Sequence, residues 1–152
     1  MILGRDSGLI MVMRAGDVSE VDGELFLCGE RVEPDLEVTE ADWFKERREG
    51  TRAFELTYWR KYHSLANYID GLVGLKQQDS EADVELPQLE KILEFIQLQL
   101  RHNFDEDWDC DDYWDASSRV MVYGWNIAAL GWYIEFARRH PNSVSVKFYD
   151  SW

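Results

Sequence analysis

The chain changes hydrophobic period several times, and each change marks an element. From Leu9 to Arg14 the residues are apolar and partly β-branched, which predicts a short strand; the apolar stretch Leu9–Met13 is too short for a signal-peptide core and lacks a small-residue cleavage site. Residues 23–29 form a second apolar run bounded by glycines, so the two runs predict a hairpin or two neighbouring strands. Residues 30–50 mix acids, Pro34 and the basic cluster Lys45, Arg47 and Arg48, and read as a loop with one helical turn after Thr39.

Tyr58, Tyr62, Leu65, Ile69 and Leu72 then recur at spacings of four and three, predicting a helix from about Thr51 to Leu72 that ends at Gly71 and Gly74. Residues 77–85 are polar and read as a connecting loop. Pro87 suits the first turn of a second helix, whose apolar face is Leu86, Leu89, Ile92, Leu93, Ile96 and Leu100. A third helix is expected after Ser117 or Ser118 as N-cap. Residues 120–137 are apolar on nearly all sides, which predicts a buried central helix stopped by Pro141-Asn142 rather than a membrane span. Val144, Val146 and Phe148 alternate with polar residues in a final strand.

The expected fold is therefore α+β, one domain over residues 1–152, with a small sheet of two or three strands from the chain ends packed on three helices, the third central. The apolar fraction of 45% and seven each of Trp, Tyr and Phe provide for a folded core. Cys28 and Cys110 lie in no metal-ligand spacing, and a reducing cytoplasm fits them best.

Charge changes the picture. Thirty Asp and Glu against sixteen Lys and Arg give a net charge of -14, a field that repels nucleic acid and attracts basic protein surfaces. The acid is densest at Asp105, Glu106, Asp107, Asp109, Asp111, Asp112 and Asp115, threaded with Trp108, Tyr113 and Trp114. Its alternating aspartates resemble the start of a calcium loop, but Cys110 holds the place of the required glycine and Ala116 that of the closing glutamate. His63, His102 and His140 have no metal-binding companions, so neither a metal nor a cofactor is expected.

Gly8-Leu9-Ile10-Met11-Val12-Met13, Tyr58-Trp59-Arg60-Lys61 and Phe148-Tyr149-Asp150-Ser151-Trp152 resemble, in order and spacing, segments of a family of small bacteriophage and prophage proteins. Those proteins open with a Gly-Leu-Asp-Met-Tyr-Leu strand, carry a Tyr-Trp-Arg-Lys helix motif and close on Ser-Trp. The family's His in that helix falls on Ala66, its Asn on His63 and its Trp on Tyr68, so no chemistry of that His carries over. The resemblance implies a phage or prophage origin and supplies no activity.

No catalytic residues emerge. The sequence points to a non-enzymatic protein whose carboxylates at 105–115 stand in for phosphates and whose Trp108, Tyr113 and Trp114 stand in for stacked bases or act as interface anchors. Its expected partner is a basic nucleic-acid-binding protein of the bacterial host, such as a restriction or CRISPR nuclease, with no direct nucleic-acid or membrane contact. Trp59, Arg60 and Lys61 form a secondary candidate patch. An accessory protein docking through exposed aromatics, or a small enzyme assembled from distant residues, stands as the alternative.

Overall fold

The computed structural model describes residues 5–32, 39–40, 49–75, 80–103 and 115–151. Along the chain come β1 (Asp6–Arg14), a 3-10 turn (Ala15–Asp17), β2 (Val18–Val21), β3 (Glu24–Leu27), β4 (Glu30–Arg31), β5 (Thr39–Glu40) and β6 (Thr51–Arg60). Then follow α1 (His63–Val73), β7 (Ser80–Val84), α2 (Leu86–His102), α3 (Ala116–Arg139) and β8 (Val144–Ser151). Among the described residues the architecture is α+β with three helices, but the expected sheet of two or three strands is too small. The structure holds a five-stranded antiparallel sheet in the order β5-β6-β1-β8-β7 and a three-stranded sheet in the order β2-β3-β4.

The largest correction is at residues 51–60, expected in the first helix and found as β6. Phe54, Thr57, Tyr58 and Trp59 are bulky or β-branched residues that favour a pleated surface, and β6 pairs along the whole of β1. The register passes from Leu9↔Thr57 to Ile10↔Glu55, so Leu56 has no opposite number and bulges. The helical stripe begins only at Tyr62. Lys61, with φ of 58°, breaks the strand, and its N–H donates to the Arg5 carbonyl. The second correction is β7, which adds an edge strand where a polar loop was expected. The chain ends do meet as expected, since β1 pairs with β8 from Asp6↔Ser151 to Met13↔Val144.

One face of the large sheet carries the core. Leu9, Met11, Phe54, Trp59, Val146 and Phe148 meet Leu65 and Ile69 of α1, Leu89, Ile92 and Ile96 of α2, and Tyr123, Leu130 and Tyr133 of α3. Ile10, Val12 and Ala53 form a small apolar cluster on the opposite face, with Tyr149 against it. Gly8 lies under that tyrosine: a Cβ there would come within 2.5 Å of the Thr57 carbonyl oxygen and 2.9 Å of the Tyr149 ring.

The third helix also departs from expectation. Tyr123, Asn126, Leu130 and Tyr133 are buried, whereas Met121 and Trp125 are about half exposed, so α3 flanks the core instead of being enclosed by it. No helix among the described residues is long and apolar enough to cross a membrane. The N-cap of α3 is Asp115, two or three residues before the expected serines; its Oδ1 accepts from the Ser118 N–H at 2.8 Å.

Candidate interaction surface

Of the acidic and aromatic run, Asp105, Glu106, Asp107, Trp108, Asp109, Asp111, Asp112, Tyr113 and Trp114 lie outside the described residues. Asp115 is described and exposed. The Ser118 N–H that it accepts holds its carboxyl below the ordinary aspartate value, so it is ionised at neutral pH.

The secondary patch is not one surface. Alternation along β6 sends Trp59 into the core, fully buried with its Nε1 unpartnered, and leaves Tyr58 and Arg60 exposed. The aromatic that faces solvent in this motif is Tyr58, whose hydroxyl donates to Asp6 Oδ1 at 2.6 Å. Burial and the neighbouring Asp6 push its phenol up to about 12. Beside it on the same sheet face, the Tyr149 hydroxyl reaches Glu55 at 3.3 Å, and burial raises the Glu55 carboxyl above its usual range.

The described cations are largely spoken for. Arg31 pairs with Glu24, Arg52 with Glu20, Arg138 with Glu90 and Glu135, Arg139 with Glu30, and Lys147 with Asp83. Glu30 also meets His140 at 3.0 Å; hydrogen bonds from Arg139 and His140 hold its carboxyl down at about 2. Since carboxylates outnumber cations by fourteen, these pairs leave the excess negative charge uncompensated on the surface.

Arg5 is the one fully buried cation among them. Its guanidinium donates to both Asp150 oxygens, to Asp70 Oδ2 at 2.9 Å and to Asn67 Oδ1 at 2.7 Å, with His63 Nδ1 at 3.5 Å. Sequence reasoning missed this cluster, because its members come from the N-terminal segment, α1 and β8 and share no local spacing. Burial and the adjoining Asp150 raise the Asp70 carboxyl to about 7, and its Oδ1 is buried without a partner. A guanidinium enclosed in this way holds three chain segments together and offers no surface to a substrate.

The outer face of α3 is the described surface most suited to a macromolecule. Met121 and Trp125 lie one turn apart with Gly124 and Ala128 exposed beside them, and no charged residue interrupts the four. Leu98 of α2 is a further exposed apolar residue. The half-exposed Trp was hidden to sequence reading because the helix is apolar on all sides. Among the described residues no three His, Cys, Asp or Glu are placed to hold a metal. No family model matches the chain, and neither a curated protein nor a solved structure shows significant similarity to it.

Proposed function

We propose that the protein is a non-enzymatic binding protein that engages a basic, nucleic-acid-binding protein of a bacterial host, with its carboxylates occupying the place of phosphates. The observation that carries this reading is the uncompensated charge: fourteen carboxylates in excess, while Arg5, Arg31, Arg52, Arg138, Arg139 and Lys147 are already paired within the fold. Such a field steers basic surfaces toward the chain. The resemblance to bacteriophage and prophage proteins makes a nuclease of phage defence, restriction or CRISPR, the target of choice, and the cytoplasm of the host its location.

The test is capture from a bacterial lysate on the immobilised chain at low and high salt, followed by a gel-shift assay of the captured protein on its own nucleic acid. Salt-sensitive capture together with loss of the nucleic-acid complex is the expected result. Replacing Asp107, Asp109, Asp111 and Asp112 by Asn abolishes both. A captured protein that still binds its nucleic acid when saturated with this chain removes the mimicry reading.

A second reading, docking through aromatics, is favoured by one observation, the exposure of Met121 and Trp125 on α3. It predicts capture that survives salt and is lost on Trp125→Ala.

A further inference from the structure

A cleft of about 550 Å³ opens where the end of β7, the start of α2, the last turns of α3 and β8 converge. Its walls are aliphatic, supplied by Val84, Leu86, Ala137, Pro141 and Val146. Tyr133 also lines it. That residue is only 2% exposed, yet its hydroxyl makes no hydrogen bond among the described residues and is not among the polar atoms sealed from solvent without a partner. The body of Tyr133 is buried while its hydroxyl reaches solvent and has no partner among the described residues, so in the cleft that Tyr133 lines this oxygen is placed to bond something that enters. Burial raises its ionisation well above the ordinary tyrosine value, so the hydroxyl stays neutral and can accept as well as donate.

The charges around the cleft select the sign of the ligand. Asp83 and Glu85 line it, and among the described residues Lys147 is the one cation that does. Lys147 and Asp83 offset each other, Nζ to Oδ1 at 2.5 Å, so that Glu85 supplies the net negative charge of the lining, Asp83 keeps Oδ2 as an acceptor, and Lys147 offers the cleft its aliphatic stem. The N-terminus of α2 also reaches the cleft, but the Glu85 side chain and Gln88 close it as a capping box, which meets its positive end. The last turns of α3, at Ala137, bring the C-terminal end of a 24-residue helix, whose negative pole is met by Arg138 and Arg139. Around all of this lies the field of the whole chain, at -14.

The geometry points to a binding site for an aliphatic ammonium or guanidinium group, its carbon chain against Val84, Leu86 and Val146, its N–H groups shared between the Tyr133 hydroxyl and the Asp83 and Glu85 carboxylates. The same chemistry is offered by a free alkylamine and by a lysine or arginine side chain of a protein partner. The site does not rest on the acidic run at 105–115 or on the binding role proposed above.

The test is a titration of the ¹⁵N-labelled full chain, followed by amide chemical shifts, with n-butylammonium, butylguanidinium and, in parallel, hexanoate. The cations are expected to move residues 83–87, 133 and 144–147, and hexanoate to leave them unmoved. Tyr133→Phe, which removes only the unpartnered hydroxyl and keeps the ring, weakens the cations about five-fold, the worth of one hydrogen bond, with the melting temperature retained. Asp83→Asn weakens them by up to about five-fold. Were Lys147 the ligand-binding group, the same variant would instead release it and strengthen hexanoate. No shift at the cleft with either cation, preference for hexanoate, or a Tyr133→Phe chain that binds like the parent each overturns the assignment. A capped Gly-Lys-Gly peptide as third probe tells the two sources apart: binding equal to the free amine identifies a partner's side chain, and exclusion of the peptide identifies a small amine, both on the assigned chemistry.

Discussion

Arg5 and Asp150, 145 positions apart, face each other through two hydrogen bonds, Nε to Oδ1 at 2.9 Å and Nη2 to Oδ2 at 2.6 Å, and both side chains are shut away from solvent. The fork joins the residue just before β1 to the penultimate residue of β8, and Asp70 and Asn67 of α1 close it from the helix side. Removing one member of a buried pair leaves the other charged and unsolvated. Arg5→Met is therefore expected to cost about 3–5 kcal/mol in urea unfolding. A loss below about 1 kcal/mol would show that the cluster is hydrated in solution.

Asp70 gives the same cluster a pH dependence of definite sign. Its carboxyl titrates at about 7 in the folded chain against an ordinary value of 3.8, so between those two the folded state holds a proton that the unfolded state has released. This contribution to stability is complete below the ordinary value and is lost as pH rises toward 7. Glu30 works in the opposite sense: held down at about 2, it contributes stability above 4.5 that is lost as pH falls toward 2. Urea midpoints of the parent should fall between pH 4.5 and 7, and those of Asp70→Asn should fall less across that window. Equal slopes in the two proteins contradict the assignment.

Gly8 meets a steric limit. Its missing Cβ would stand 2.5 Å from the Thr57 carbonyl oxygen, which belongs to the paired backbone of β6 and cannot swing aside. Gly8→Ala must then part β1 from β6 locally or lift Tyr149 from the sheet. The expected loss is about 1–3 kcal/mol, in the range of overpacked sites, with faster amide exchange at Leu9 and Thr57. Unchanged exchange and stability would mean that the sheet relaxes freely here.

How much of this was legible in the sequence follows from which signals are local. β1, β8, α2 and α3 were readable because an unbroken apolar run, a strict alternation and a 3.6-residue period each identify one state. Residues 51–60 were misread because Tyr58 happens to lie four positions before Tyr62, which extended a helical stripe backward over a strand; the Thr and aromatic content of that stretch was the better guide. The small sheet was read only in part: residues 23–29 were expected as a strand beside the Leu9–Arg14 run, but β3 pairs with β2 and β4 in a separate sheet. Asp22-Gly23 and Cys28-Gly29 both take left-handed backbone, φ of 52° and 81° and of 51° and 79°, the pairing of two-residue hairpin turns between twisted strands. Asp-Gly between short β-rich runs is a hairpin signal. The Arg5 cluster and the Tyr133 cleft were beyond reach, since each depends on which strand ends the topology brings together.

The two tryptophans Trp59 and Trp125 separate stability from binding. Trp59 is fully buried in the core and Trp125 is half exposed on the outer face of α3. Trp59→Ala is expected to cost about 3–5 kcal/mol and to abolish every function through unfolding. Trp125→Ala removes no core contact of comparable size and should change stability by no more than about 0.5 kcal/mol. Its effect on capture of a partner then has a direct meaning, because the fold is intact. If salt-resistant capture disappears with Trp125→Ala while the four Asp→Asn substitutions leave it unchanged, α3 carries the interface. If Trp125→Ala is silent and the Asn substitutions abolish capture, the negative charge carries it. Thermal melts of all three chains, run beside the capture assay, decide between a lost surface and a lost fold.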